Sequence, residues 1–294
     1  MGPYPMHAMA VNRIVIGAAL FASYAARLPE FNTIYGPDSI AWFPLYRGYV
    51  LNAWHPPLAP VADFIARHDL QSYVWLLYAL LLLALLSFAL GFVTRLSGVT
   101  GLVLHQLFNA INADVSWGWS EFVVGLFLYT LLAPSGKRYS IDAARKRSGS
   151  TGAVSEFVAP AWPLRLMQIN ICGMYAVAGW SRIDSPGWLE GKMMFEALTN
   201  TLFARFAIDW HAYRGLLVVP AYAVMILEPA ASILLWIRPL APWVALALIA
   251  MHVGLELLTQ VGMWNFLMIG GLLCFLSPAW SRSALERVTP QRYR

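Results

Sequence analysis

Five ionisable side chains stand in apolar surroundings, where an ionisable group requires a partner or a task. His105 is followed by Asn109 and Asn112 at i+4 and i+7, and His252 by Glu256 at i+4. On a helix each set shares one face. Glu228 lies mid-way along another apolar run beside Pro229, which frees a backbone carbonyl one turn back. Arg182 closes the run Ala178-Gly-Trp-Ser-Arg-Ile-Asp184. An imidazole and a carboxylate one turn apart can ligate a metal, exchange a proton or pair ionically. No third ligand is evident, so no metal is expected. Arg182 could pair with Glu228 or Glu256, or hold an anionic oxygen. A purely structural cluster fixing helix register is the competing account, and a pocket for a small molecule or quinone is the functional one.

These groups are held by a chain whose solvent is lipid. Of 294 residues, 59% are hydrophobic and 12% charged, about half the charged fraction of an ordinary soluble domain. Such a chain lacks the polar residues to coat a water-soluble body. Apolar runs near twenty residues match a hydrocarbon layer roughly 30 Å thick. The 13 Trp and 13 Tyr suit aromatic belts at the two interfaces. Cys172 and Cys274 lie in apolar segments without paired spacing, so buried thiols are expected. The first apolar run reads as an uncleaved anchor, because the residues before it form no convincing cleavable leader.

The fold class expected is all-α, an integral membrane protein of about eight transmembrane helices, at about residues 11–28, 72–94, 98–113, 119–134, 163–181, 216–237, 241–260 and 264–278. The third, fourth and eighth are short and need not cross fully. Residues 1–294 read as one membrane domain, and no internal repeat stands out. Two long loops, about residues 29–72 and 185–215, would share the outer side. Their tryptophans Trp42, Trp54, Trp188 and Trp210, with Trp264 and the pair Trp117 and Trp119, read chiefly as interfacial anchors. The basic loop of about residues 134–160 would be cytoplasmic. With both termini inside, 13 of the 20 Lys and Arg fall on the cytoplasmic side, which sets the orientation. The positive balance reports topology and contact with anionic lipid, so no nucleic acid is expected as partner.

Several runs resemble the HTTM (horizontally transferred transmembrane) family, related to the vitamin K-dependent gamma-carboxylase. They are Trp162-Pro-Leu-Arg-Leu-Met-Gln-Ile, Tyr175-Ala-Val-Ala-Gly-Trp-Ser-Arg-Ile-Asp and Gly187-Trp-Leu-Glu-Gly191. In order with these come Tyr139-Ser-Ile-Asp142, Glu228, His252 and Gln260-Val-Gly-Met263. The resemblance implies a bacterial inner-membrane protein and a quinone or vitamin K-like lipid as cofactor, with Arg182, Glu228, His252 and His105 as its contacts. The lysine base of the animal enzyme falls at Arg182, and arginine does not release its proton at accessible pH. A histidine important in that enzyme falls at Lys137. The large lumenal region that follows its membrane part has no counterpart before Arg294. Glutamate carboxylation is therefore not expected.

Three function classes follow. The first is an accessory or maturation subunit that meets a partner membrane or periplasmic protein through the aromatic outer loops. The second is a quinol-dependent redox or modifying enzyme, with Arg182 on the quinone oxygen and His252 or Glu256 moving the proton, and Glu228 lining the site. The third, a transporter or lipid-handling protein, lacks inverted repeats and paired broken helices.

Overall fold

The computed structural model describes residues 3–54, 56–115, 120–148 and 158–276. The chain divides into two compact units. Within the described residues, residues 9–159 form one; residues 160–276, with the first few of the chain, form the other. Trp117, Trp119, the Ser148–Gly152 stretch of the basic loop beyond Ser148, and the carboxyl-terminal arginines lie outside the described residues.

The amino-terminal unit opens with α1 (His7–Ala26). Three loop helices follow, α2 (Phe31–Tyr35), α3 (Pro44–Trp54) and α4 (Ala59–Arg67). Then come α5 (Val74–Leu90), α6 (Thr94–Ile111), α7 (Ser120–Leu132) and the short basic helix α8 (Ile141–Ser148). The carboxyl-terminal unit starts with α9 (Trp162–Ile183), whose Pro163 suits a first helical turn. The short α10 (Pro186–Leu189) and α11 (Met193–Thr199) come next. The unit ends with α12 (Arg214–Leu234), α13 (Ala241–Leu258) and α14 (Trp264–Leu272), the last prolonged by a 3-10 turn to Phe275. Among the described residues, two three-residue extended segments, Pro3–Pro5 and Val158–Pro160, are the strands.

The chain is thus an all-α membrane protein, and each of the eight apolar runs corresponds to a helix. Among the described residues, four helical stretches are long and apolar enough to cross a bilayer: His7–Ala26, Gln71–Leu90, Trp210–Leu234 and Ala241–Leu258. Helix α1 begins four residues before the expected start. Helix α5 shows why lipid must be the solvent, since Trp75, Leu76, Leu80, Leu83 and Leu86 are exposed on a helix with no charge. Water would penalise that face by roughly 25 cal/mol per Å².

Polar side chains tie each unit together. In the amino-terminal unit, Arg13 is fully buried, so it is no surface charge. Its guanidinium donates to the carbonyls of Ser135, at 2.8 Å, and Tyr139. Gly91, in the left-handed region at φ 68°, ends α5, and a Cβ there would strike Ser140 and Arg13. Asp142 then caps α6 across the turn. Its carboxylate accepts from Val93 N and Thr94 N, both at 2.9 Å, and from Thr94 Oγ1 at 2.7 Å. Burial pushes that carboxyl up, but the bonds from Thr94 and Val93, with the charge of Arg13, outweigh it and hold it below the usual value.

The loop between α1 and α5 is fastened by residues read from sequence as interfacial. Arg47 is buried, paired with Asp63 at 2.7 Å, and donates to Ala110 O at 2.6 Å. Trp42 is not a lipid anchor: it is buried and its indole donates to Gly36 O at 2.9 Å. Among the described side chains of that stretch, Ile40, Phe43, Leu45 and Tyr49 are exposed. Asn112 leaves the helical face of His105, taking extended geometry at the end of α6. There it accepts from Tyr46 Oη and donates to Ile34 O, both at 3.0 Å. Burial raises the Tyr46 phenol, and the Tyr35 phenol is pushed up to about 12 for the same reason.

Candidate functional site

The carboxyl-terminal unit gathers four of the five ionisable candidates. Gly179 of α9 makes this happen. A Cβ at that position would lie 2.5 Å from Pro229 N and Cδ on α12, so only glycine lets the two backbones come this close. Pro229, lacking an N–H, offers a flat surface there. Beside this contact Arg182, one turn beyond Gly179, meets Glu228, the residue before Pro229, in an ion pair. Glu228 is 5% exposed. The indole of Trp188, on α10, lies under the guanidinium with Cζ 4.7 Å from the ring centre. The Gly187-Trp-Leu-Glu-Gly191 run thus closes over Arg182. Its last residue, Gly191, takes φ 67° against Val218, and Tyr222 Oη donates to Leu189 O at 2.7 Å.

A second chain of polar contacts runs from the core of the unit outward. Tyr175 and His252 are each 2% exposed, and the phenolic oxygen is 2.9 Å from Nε2 of the imidazole. His252 Nδ1 lies 2.9 Å from Asn265 Oδ1. The Asn265 amide donates through Nδ2 to Glu256 Oε2 at 3.1 Å. Glu256 Oε1 pairs with Arg205 at 2.6 Å, and Arg205 also donates to Thr259 O at 3.0 Å. Backbone bonds between Arg205 N and Leu258 O and between Gln260 N and Phe203 O clamp the loop before α12 to the end of α13. Gly262, at φ 71°, turns the chain so that α14 presents Asn265 to His252.

This chain fixes the tautomer of His252. A carboxylate only accepts, so the Asn265 nitrogen faces Glu256 and its oxygen faces His252. Nδ1 must therefore carry a proton and donate to Oδ1. In the neutral ring Nε2 is left as an acceptor, and the Tyr175 hydroxyl donates to it. Chemically this is a phenol with its proton directed at a neutral imidazole, with Arg182 two turns further along the same helix as Tyr175.

Placement of the candidates is therefore uneven. Arg182 and Glu228 form one of the pairings the sequence leaves open. Glu256 pairs with Arg205 rather than with Arg182 or His252, because the clamped loop delivers Arg205 to the end of α13. His105 belongs to the other unit, buried between Tyr24 Oη at 2.8 Å and Asn109 Nδ2 at 3.2 Å. Tyr175, Asn265 and Arg205 were not singled out from sequence. Among the described residues no three His, Cys, Asp or Glu side chains converge on a metal position. Neither cysteine is in a disulfide and both are buried, and Gln168 Nε2 donates to the Cys274 carbonyl at 2.7 Å.

A helical membrane domain with buried acid–base side chains and glycine-mediated helix contacts is the class these features define. The HTTM domain matches residues 60–280, and the chain belongs to the HTTM family. No solved structure matches it.

Proposed function

We propose that this HTTM protein resides in a bacterial cytoplasmic membrane, both termini cytoplasmic, and binds the hydroxylated head group of a quinol-type lipid in its carboxyl-terminal unit. The observation that carries the reading is the Tyr175–His252 pair, with His252 held as an Nε2 acceptor by Asn265 and Glu256. The donor set fits such a ligand. A guanidinium has five N–H donors, more than one carboxylate can take, so Arg182 can hold Glu228 and an incoming oxygen together. Trp188 offers an aromatic face beside it. A quinol supplies a dissociable hydroxyl and two-electron redox chemistry.

With such a ligand bound, Tyr175 Oη would pass its proton to His252 Nε2 and accept one from the ligand hydroxyl. His252 would stay bonded to Asn265, whose amide joins it to the Glu256–Arg205 pair. Arg182 would hold the ligand oxygen. His252, acting through Tyr175, would thus supply the base absent at position 182, and no electron moves in this step. Native mass spectrometry of the protein in lipid tests the reading. A retained quinone in the wild type, lost in Tyr175→Phe with the fold intact, supports it; an empty wild-type protein contradicts it.

A second reading, an accessory subunit acting with a partner membrane or periplasmic protein, is favoured by the exposed Ile40, Phe43, Leu45 and Tyr49 of the first outer loop. Cross-linking from Leu45 to another protein in native membranes would support it.

A further inference from the structure

The entire net charge of the chain belongs to one corner of the amino-terminal unit. Arg95, Lys137, Arg138, Arg145, Lys146 and Arg147 are six of its 20 basic residues, and Asp142 is the one acid in residues 90–96 and 134–148. Everything outside that corner balances, 14 basic residues against 14 acidic ones, so the corner carries the whole +5. Asp142 itself is turned inward, its carboxylate taken up by Val93 N, Thr94 N and Thr94 Oγ1.

Three contacts gather the cations onto one surface. The Asp142 cap, with the bond from Asp142 N to Gly91 O at 3.0 Å, fastens the first turn of α8 to the turn between α5 and α6. Gly136 packs on Thr94 so closely that a Cβ would strike its hydroxyl, which brings the stretch holding Lys137 to the start of α6, where Arg95 is the second residue. Arg145 lies over the ring of Phe92, with Cζ 5.0 Å from its centre. Arg95, Lys137, Arg145 and Lys146 are exposed. So are the apolar side chains beside them, Leu90, Phe92, Val93 and Leu96. Helix α5 belongs to a stretch able to cross a bilayer and ends at Leu90, so this collar falls where hydrocarbon gives way to head groups.

We propose that Arg95, Lys137, Arg145 and Lys146 form a docking surface for the phosphate head groups of anionic phospholipids, with Leu90, Phe92, Val93 and Leu96 among the acyl chains. It stands apart from the reading of Tyr175 and His252. From sequence, contact with anionic lipid follows from the basic loop as a whole; the structure localises it to one built corner. Clustered cations next to a membrane span attract anionic lipid by about 1 kcal/mol each. A guanidinium matches a phosphate with paired N–H donors. An acidic polypeptide would satisfy the cations but leave the apolar collar uncovered. Lipid satisfies both.

Thermal melting of the full chain in mild non-ionic detergent, titrated with dioctanoyl phosphatidylglycerol, tests this, because a ligand of the folded state raises the melting temperature. Phosphatidylglycerol should act at lower concentration than phosphatidylcholine of the same chain length, and added salt should weaken the difference. The triple variant Arg95→Gln, Lys137→Gln, Lys146→Gln leaves the Arg145–Phe92 contact in place. It should raise the half-saturating concentration at least about tenfold. Removing three exposed charges elsewhere, Arg67→Gln, Arg214→Gln and Arg238→Gln, should change it less than about twofold. If the first variant loses its cooperative melt, Arg95→Gln with Lys146→Gln replaces it, with a rise of at least about fivefold expected. Equal effects of the two triple variants, or none from the first, overturn the site. Glycerol phosphate acting as well as the lipid would make the ligand a soluble phosphate, and polyglutamate acting where phosphatidylglycerol does not would make it an acidic polypeptide. Either result overturns the lipid assignment.

Discussion

Glu256 decides which nitrogen of His252 faces Tyr175. The carboxylate takes the Asn265 amide N–H at 3.1 Å, the amide oxygen takes the His252 Nδ1 proton at 2.9 Å, and Nε2 is left to accept from the phenol. Three side chains from three helices, α13, α14 and α9, therefore define the state of one imidazole.

Removing the middle of that relay should be felt in stability. Asn265→Leu leaves His252 Nδ1–H and a Glu256 oxygen without their partner, and a buried unsatisfied group costs about 1–3 kcal/mol. Thermal melting in mild detergent should show a drop of several degrees, and quinol binding should weaken with it.

The Arg182–Glu228 pair should break asymmetrically. Arg182→Met leaves a buried carboxylate unpaired, which costs about 3–5 kcal/mol. Replacing both residues, Arg182→Met with Glu228→Met, should recover most of that loss because no charge remains to be desolvated. A double-mutant cycle on melting temperatures measures the difference.

Close helix approach at Gly179 gives a steric prediction. Gly179→Val drives a Cβ into Pro229 and should destabilise by about 1–3 kcal/mol. Gly173→Ala on the same helix, where a Cβ meets nothing within 4 Å, should be neutral or slightly stabilising. The pair of melts separates a packing requirement from a general effect of losing glycine.

Much of this was legible beforehand, and the rest was hidden for physical reasons. The all-α membrane class follows from apolar runs sized to a bilayer, although four helical stretches among the described residues, not eight, are long and apolar enough to cross; that Arg182 and Glu228 find partners follows from the rule for intramembrane charges. Tyr175 escaped because a tyrosine in an apolar helix reads as an interfacial aromatic. Asn265 escaped because one amide beside Trp264 carries no pattern. Arg205 escaped because its pairing depends on a loop clamp between Phe203–Arg205 and Leu258–Gln260 that spacing does not encode. Trp42 read as an anchor because its indole partners, the Tyr35 and Gly36 carbonyls, are backbone groups.

The cap on α6 predicts a pH dependence. Asp142 is held below its usual value, so its contribution to stability is fully present above about pH 4, the unfolded value. It is lost as pH falls through the lower folded value. Asp142→Asn keeps one acceptor and should cost about 1 kcal/mol near neutrality. Melting profiles from pH 7 to pH 3 should show wild type converging on the variant at the acid end.

The most direct measurement is 15N solid-state NMR of histidine-labelled protein in lipid, with His252→Gln identifying the His252 signals. The account predicts a neutral ring with Nδ1 protonated and Nε2 bare, shifting toward the opposite tautomer or a mixture in Glu256→Gln. A wild-type His252 carrying its proton on Nε2 would contradict it, since Tyr175 would then have no base to donate to.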